Sequence, residues 1–123
     1  MSRRCAVYTR YSSDLQRASS IDDQFRQCRE LASRQAWSIV EEFVIADRAI
    51  SAGSVAGRDG LQRLVKAAKR KDRPFDCLLV VDTSRLAREL SDALRTWKTL
   101  EFCGVIVLSV TQASIHRKAM LAL

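Results

Sequence analysis

The sequence predicts an α/β fold: a mostly parallel sheet of four to five strands flanked by helices. Three observations carry that expectation. Short runs rich in apolar and β-branched residues alternate with segments whose apolar residues recur at helical spacing. The run at 75–81, Phe75-Asp76-Cys77-Leu78-Leu79-Val80-Val81, is almost unbroken, as a strand covered on both faces requires. Strand and helix take turns throughout, and this order closes into a sheet through right-handed crossovers.

The elements follow in order. Residues 4–9, with Cys5-Ala6-Val7-Tyr8 at the centre, read as a short buried strand. Ser20 offers a helix cap with Asp23 as its partner three residues on. Ile21, Phe25, Cys28, Leu31 and Ala32 then keep helical spacing, so 21–35 is an amphipathic helix. Residues 38–45 are rich in β-branched and aromatic side chains and form the second strand. Between 47 and 59 the chain holds Ser51, Gly53 and Gly57 without periodicity, which predicts a loop. Leu61, Leu64, Val65 and Ala68 mark a second helix, and 75–81 is the third strand. Leu86, Leu90, Leu94 and Trp97 make the stripe of a third helix, and 104–110 is the fourth strand.

Composition bounds the rest. A chain of 123 residues suits one domain, and 47% hydrophobic residues suffice for a core. No window approaches the roughly 18 apolar residues of a membrane span, and the charged start from Met1 has no long apolar stretch behind it. A cytoplasmic protein is expected. Cys5, Cys28, Cys77 and Cys103 are far apart in sequence and the one histidine is His116, which excludes a zinc site by ligand spacing. The cysteines are expected to act as small buried hydrophobes, and no metal or other cofactor is expected. The formal net charge of +7 favours an anionic partner such as nucleic acid. Lys66, Lys69, Arg70, Lys71 and Arg73 form the densest cluster, and two readings stand side by side. It is a DNA contact, or a solvated helix end whose cations suit the helix dipole.

Several chemistries fall away. The sequence has no G-x-x-x-x-G-K-[ST], no G-x-G-x-x-G after a strand and no G-x-S-x-G. A single distant histidine does not support a serine hydrolase triad. Cys5 stands one position too close to Arg10 for a C-x5-R phosphatase loop. What remains is hydroxyls and arginines at the carboxyl edge of the sheet, where ligands of such folds bind. Arg10 and Ser12 follow the first strand. Arg85 and Arg88 follow the third at i and i+3, hence on one helix face, and Arg58 lies in the loop between. An arginine fork binds phosphate oxygens and stays protonated. Converging arginines would stabilise the charge that builds when a serine attacks a phosphodiester, and would activate that serine without a histidine base. The pattern points to metal-free phosphoryl transfer. Against it stands ion pairing of the same arginines with Asp82, Glu89 and Asp92.

Four segments in order resemble the serine site-specific recombinases of the resolvase/invertase family. Tyr8-Thr9-Arg10-Tyr11-Ser12-Ser13-Asp14-Leu15-Gln16 is similar to the Y-x-R-[VY]-S-x-x-x-Q opening of that family. Ser20-Ile21-Asp22-Asp23-Gln24 is similar to its S-[IL]-x-x-Q segment. Asp47-Arg48-Ala49-Ile50-Ser51-Ala52-Gly53 with Arg58-Asp59-Gly60-Leu61 resembles its D-x-G-x-S-G…R-P-G-L loop. Ser84-Arg85-Leu86-Ala87-Arg88 resembles its D-R-L-[GS]-R motif.

The resemblance implies a resolvase-like catalytic domain with Ser12 as nucleophile and Arg10, Arg58, Arg85 and Arg88 as catalytic partners. Gln16, Gln24, Ser51, Asp82 and Ser84 take supporting positions. It implies double-stranded DNA as substrate and a 5′-phosphoserine link, with integration, inversion or resolution as the outcome. It also implies a homodimer and synaptic homotetramer in the intact protein, of bacterial, phage or mobile-element origin. This sequence departs from the pattern at Ser84, where the family has aspartate, with Asp82 two residues earlier, and at Ala49 and Asp59 in the loop. Residues 1–123 are expected to be a single catalytic domain that ends before the family's long dimerisation helix and DNA-binding domain. A short helix at 115–121 is expected there, with His116 on its surface. Two alternatives stand beside the enzyme: a truncated, non-catalytic remnant of the same fold that dimerises or binds DNA weakly, and a phosphate- or nucleotide-binding α/β protein.

Overall fold

The computed structural model of the protein describes residues 3–12, 18–49, 59–81 and 90–111. The order is β1 (Arg4–Ser12), α1 (Ala18–Arg34), β2 (Ser38–Ala49), α2 (Asp59–Ala68), β3 (Cys77–Val80), α3 (Leu90–Phe102) and β4 (Ile106–Ser109). The four strands form one sheet in the order β2-β1-β3-β4, and every pairing is parallel. The α/β fold expected from the alternation is therefore the fold observed.

Each face of the sheet is covered, because alternate residues of a strand point to opposite sides. Ala6, Tyr8, Leu78 and Val80 meet Leu61, Leu64, Ala67 and Ala68 of α2 and Ala93 and Leu100 of α3. Cys5, Val7, Cys77 and Leu79 meet Cys28, Leu31 and Ala32 of α1. All eight strand residues are fully buried, which is why β3 reads as a continuous apolar run. Cys5 and Cys77 are register partners on neighbouring strands. Burial pushes the Cys28 thiol up to about 12, so it behaves as the small hydrophobe expected. Cys103 departs from that expectation and is only half-buried.

Several boundaries differ from expectation. The first two strands run on to Ser12 and Ala49, past the predicted ends at 9 and 45. Thr9–Ser12 pair residue by residue with Ala46–Ala49, while the β1–β3 ladder stops at Val7. The polar tips are thus held by ladder hydrogen bonds to each other, a contribution that apolar periodicity does not register. Between Cys5 and Val7 the partner on β2 jumps from Ile39 to Val44, a bulge that turns Phe43 into the core. Ser20 does not cap α1, because the helix already begins at Ala18. Asp23 instead faces along the helix, hydrogen bonding Arg26 and Gln27. On α3 the predicted stripe is rotated. Leu94 is 47% exposed, whereas Ala93 and Leu100 are buried and Trp97 packs against them. Strands β3 and β4 are shorter than predicted, at Cys77–Val80 and Ile106–Ser109.

The amino edge of the sheet is clasped by Asp76. Its carboxylate accepts from Arg4 Nη2 at 3.0 Å and Nε at 3.2 Å, and from Arg73 Nη2 at 3.4 Å. Arg73 also donates to the carbonyl oxygens of Phe75 and Cys103. No helix among the described residues is long and apolar enough to cross a membrane.

Candidate active site

The carboxyl edge of the sheet is where β1 and β2 project beyond β3. Four residue pairs, from Thr9↔Ala46 to Ser12↔Ala49, extend past the last β1–β3 partner. Arg10 lies in this extension, half-buried and opposite Asp47, and Ser12 is the final residue of β1. The serine and arginine proposed from sequence are therefore two positions apart on one strand, at the edge where parallel sheets bind ligands.

Two hydrogen-bonded clusters fix this projecting strand, one on each face. On the α1 side, buried Thr9 donates its hydroxyl to Oε1 of Gln24. Gln24 is 5% exposed, and its Nε2 is buried with no hydrogen-bond partner among the described residues. A buried donor left unsatisfied costs about 1–3 kcal/mol, so this amide needs an acceptor beyond the described residues. On the α2 side, Tyr8 donates its hydroxyl to Oδ2 of Asp47 at 2.8 Å. The same carboxylate accepts from the backbone N–H of Gly60 and of Leu61, each at 2.9 Å. Asp47 thus caps the first turn of α2 from the end of β2, with its charge at the positive end of the helix dipole. It joins β1, the end of β2 and the start of α2 through one side chain.

Gly60 makes this approach possible. A Cβ at that position would fall far inside van der Waals contact of Ile45 Cγ2 and Asp47 Oδ1. The requirement is steric, since only a residue without a side chain lets the helix start sit on the carboxylate.

Of the residues singled out from sequence, Arg10, Ser12 and Gln24 are brought to this edge. Gln16, Ser51, Arg58, Asp82, Ser84, Arg85 and Arg88 lie outside the described residues, as do His116 and the helix expected at 115–121. The structure adds Tyr8, Thr9, Asp47 and Gly60, none of which was proposed as a site residue. Tyr8 and Asp47 do open two of the recognised motifs. Residues 50–58 span the gap that Asp47 closes, and they carry Ser51 and Arg58. No group of three or more His, Cys, Asp or Glu side chains able to hold a metal occurs among the described residues.

A parallel α/β sheet with a serine and an arginine at the carboxyl tip of its first strand defines the class. The family follows from the chain as a whole: residues 5–122 match the family described as Resolvase, N terminal domain, and the protein belongs to that family. Comparison with curated proteins finds no match. Among solved structures, the chain is similar to the N-terminal catalytic domain of TP901-1 integrase. The two share 22% identity over 89% of this chain and 78% of that one, with a TM-score of 0.72. It is also similar to the C-terminal catalytic domain of ISC1926 TnpA, an IS607-like serine recombinase. There identity is 22% over 96% of this chain and 79% of that one, with a TM-score of 0.68. At this identity the likeness is one of fold.

Proposed function

We propose that residues 1–123 form one catalytic domain of a site-specific DNA recombinase, which breaks and rejoins double-stranded DNA at Ser12 by metal-free phosphoryl transfer. One observation carries the reading: in a chain of the resolvase family, β1 ends on Ser12 at the carboxyl edge of the sheet, two residues beyond Arg10.

In this reading the Ser12 Oγ attacks a backbone phosphorus. A serine–phosphorus ester bond forms as the bond to the 3′ oxygen breaks, and the 3′ oxygen leaves as a hydroxyl after taking up a proton. One phosphodiester replaces another, so the reverse attack by a 3′ hydroxyl rejoins DNA without a nucleotide cofactor. Arg10, with Arg58, Arg85 and Arg88, would hold the non-bridging oxygens as negative charge builds on them. Gln24, held to Thr9 on the α1 face of the same strand, supports the tip of β1 from the other side, and Gln16, Ser51, Asp82 and Ser84 complete the supporting set. Asp47 is a positioning residue: it holds Tyr8 of β1 and fixes both ends of the segment that carries Ser51 and Arg58. In the intact protein the domain works as a homodimer that assembles into a synaptic homotetramer.

A nicked duplex that traps the covalent intermediate tests the reading on a denaturing gel, in the presence of EDTA. The intact protein is expected to give an adduct and Ser12→Ala none. Arg10→Ala is expected to slow adduct formation by about 10²–10³, the cost of losing one oxyanion donor. An adduct that depends on added metal, or one that survives Ser12→Ala, refutes the mechanism.

A further inference from the structure

Once the ion pairs are assigned, Lys66, Lys69 and Lys71 of the dense basic run remain unpaired among the described residues, and the first two share one face. Arg70 is spent on Asp72, at 2.7 Å. Arg73 is spent on the amino-edge clasp and the carbonyls of Phe75 and Cys103. Lys66, in the last turn of α2, and Lys69, which follows that helix, are exposed and have no ion-pair partner among the described residues. Three positions apart, they share one side of the helix.

That side faces a groove of about 390 Å³ between α2 and α3. Lys66 and Lys69 line it with Leu61, Gln62 and Val65 from α2, and Asp92, Arg95 and Thr96 from α3 line it opposite. Arg95 is 78% exposed and reaches Asp92 only at 3.6 Å, so the pair leaves most of its charge to solvent. Three cations therefore face one carboxylate, with an amide and a hydroxyl between them as neutral donors. None of the exposed large apolar side chains, Leu94, Phe102 and Ile106, lines the groove. Protein interfaces take most of their energy from buried aromatic and arginine anchors set in close-packed pockets. This groove has no aromatic anchor; its apolar lining is Leu61 and Val65, and the exposed Lys66, Lys69 and Arg95 beside them suit a polyanion, whose binding is driven by counterion release. Both helices start at the carboxyl edge that bears Ser12 and run back along the sheet. The groove between them leads away from the proposed site of cleavage.

We propose that the α2–α3 groove carries the phosphate backbone of duplex DNA flanking the cleavage point, with Lys66, Lys69 and Arg95 as its phosphate contacts. The choice of DNA among polyanions rests on the recombinase reading; the distribution of charge does not. The surface is sequence-independent, contributing affinity and register without base readout.

Salt-dependent binding of a short duplex of arbitrary sequence, followed by fluorescence anisotropy, tests it. All proteins carry Ser12→Ala, so failure of the serine chemistry cannot imitate failure of the groove. Each phosphate contact contributes about 0.9 to the slope of log K against log salt. Lys66→Gln with Lys69→Gln is expected to lower the magnitude of that slope by nearly 2. Arg34→Gln removes an exposed cation at the end of α1, on the opposite face of the sheet, and is expected to leave the slope unchanged. Thermal melts identical to the parent's establish that the variants are folded. The proposal is overturned if the parent fails to bind duplex, if the double variant keeps its slope, or if Arg34→Gln lowers the slope as much per charge removed.

Discussion

Asp47 and Tyr8 stand 39 positions apart in the chain, yet one carboxylate oxygen and one phenol hydroxyl hold β2 against β1 where the proposed nucleophile emerges. The same carboxylate takes two N–H groups at the start of α2. This was not legible from local signals. Helix caps are read from the residue just before a helix, whereas Asp47 acts across a gap of more than ten residues and, by sequence pattern, opens a loop. Ser20 had the composition of a cap and lies inside α1 instead. The motif resemblance had singled out Ser51 and Arg58 from the segment that Asp47 opens, and the structure gives Asp47 the anchoring contacts. Asp47→Ala would leave the Tyr8 hydroxyl and two helix N–H groups without their acceptor. It is expected to destabilise the fold by at least about 2 kcal/mol, measured from the urea midpoint, since each buried unsatisfied donor costs about 1–3 kcal/mol. Gly60→Ala should also destabilise, because its Cβ would collide with Ile45 and Asp47, while Tyr8→Phe should cost only about 1 kcal/mol. Parent-like midpoints for Asp47→Ala would remove its anchoring role.

At the scale of elements, apolar periodicity located every strand and helix the structure describes and erred at their ends and faces. The tips of β1 and β2 are polar, with Thr9-Arg10-Tyr11-Ser12 paired to Ala46-Asp47-Arg48-Ala49. Their order comes from a ladder that needs both strands present, so neither segment alone announces it. On α3 the leucines suggested one stripe, but the helix turns Ala93, Trp97 and Leu100 inward. A small alanine between sheet and helix lets the two approach, and leucine at 94 is left at the surface. Leu100→Ala is therefore expected to cost about 2–5 kcal/mol, the usual range for a buried leucine, and Leu94→Ala no more than about 0.5 kcal/mol. Chemical denaturation of the two variants decides between the predicted stripe and the observed one, and equal losses would favour the former.

For the molecule as a whole, an aspartate ties each end of the sheet. At the carboxyl edge Asp47 is buried among its three donors, and at the amino edge Asp76 is partly exposed between Arg4 and Arg73. The Arg4 hydrogen bonds hold the Asp76 carboxyl well below the ordinary carboxylate value of 3.8, at about 2. Because the folded pKa is depressed, its contribution to stability is present above the unfolded pKa and is lost as pH falls through the folded one. Thermal stability is expected to decline between about pH 4 and pH 2, and Asp76→Asn should flatten that decline while lowering the melting temperature at neutral pH. An acid profile unchanged by Asp76→Asn would assign the decline to other carboxylates. The fold class was legible at this scale because strand–helix alternation is a property of the whole chain. The contacts of the active site were less so, since they join residues that only the finished sheet brings together.

The chemistry of the DNA ends after cleavage tests the central claim most directly. Ser12 as nucleophile at phosphorus, with the 3′ oxygen as leaving group, predicts a free 3′ hydroxyl that a polymerase extends. It also predicts a 5′ end that resists exonuclease and, after proteolysis, carries a phosphodiester-linked peptide containing Ser12. A free 5′ end with protein on the 3′ side, or a linked peptide that lacks Ser12, would contradict the account.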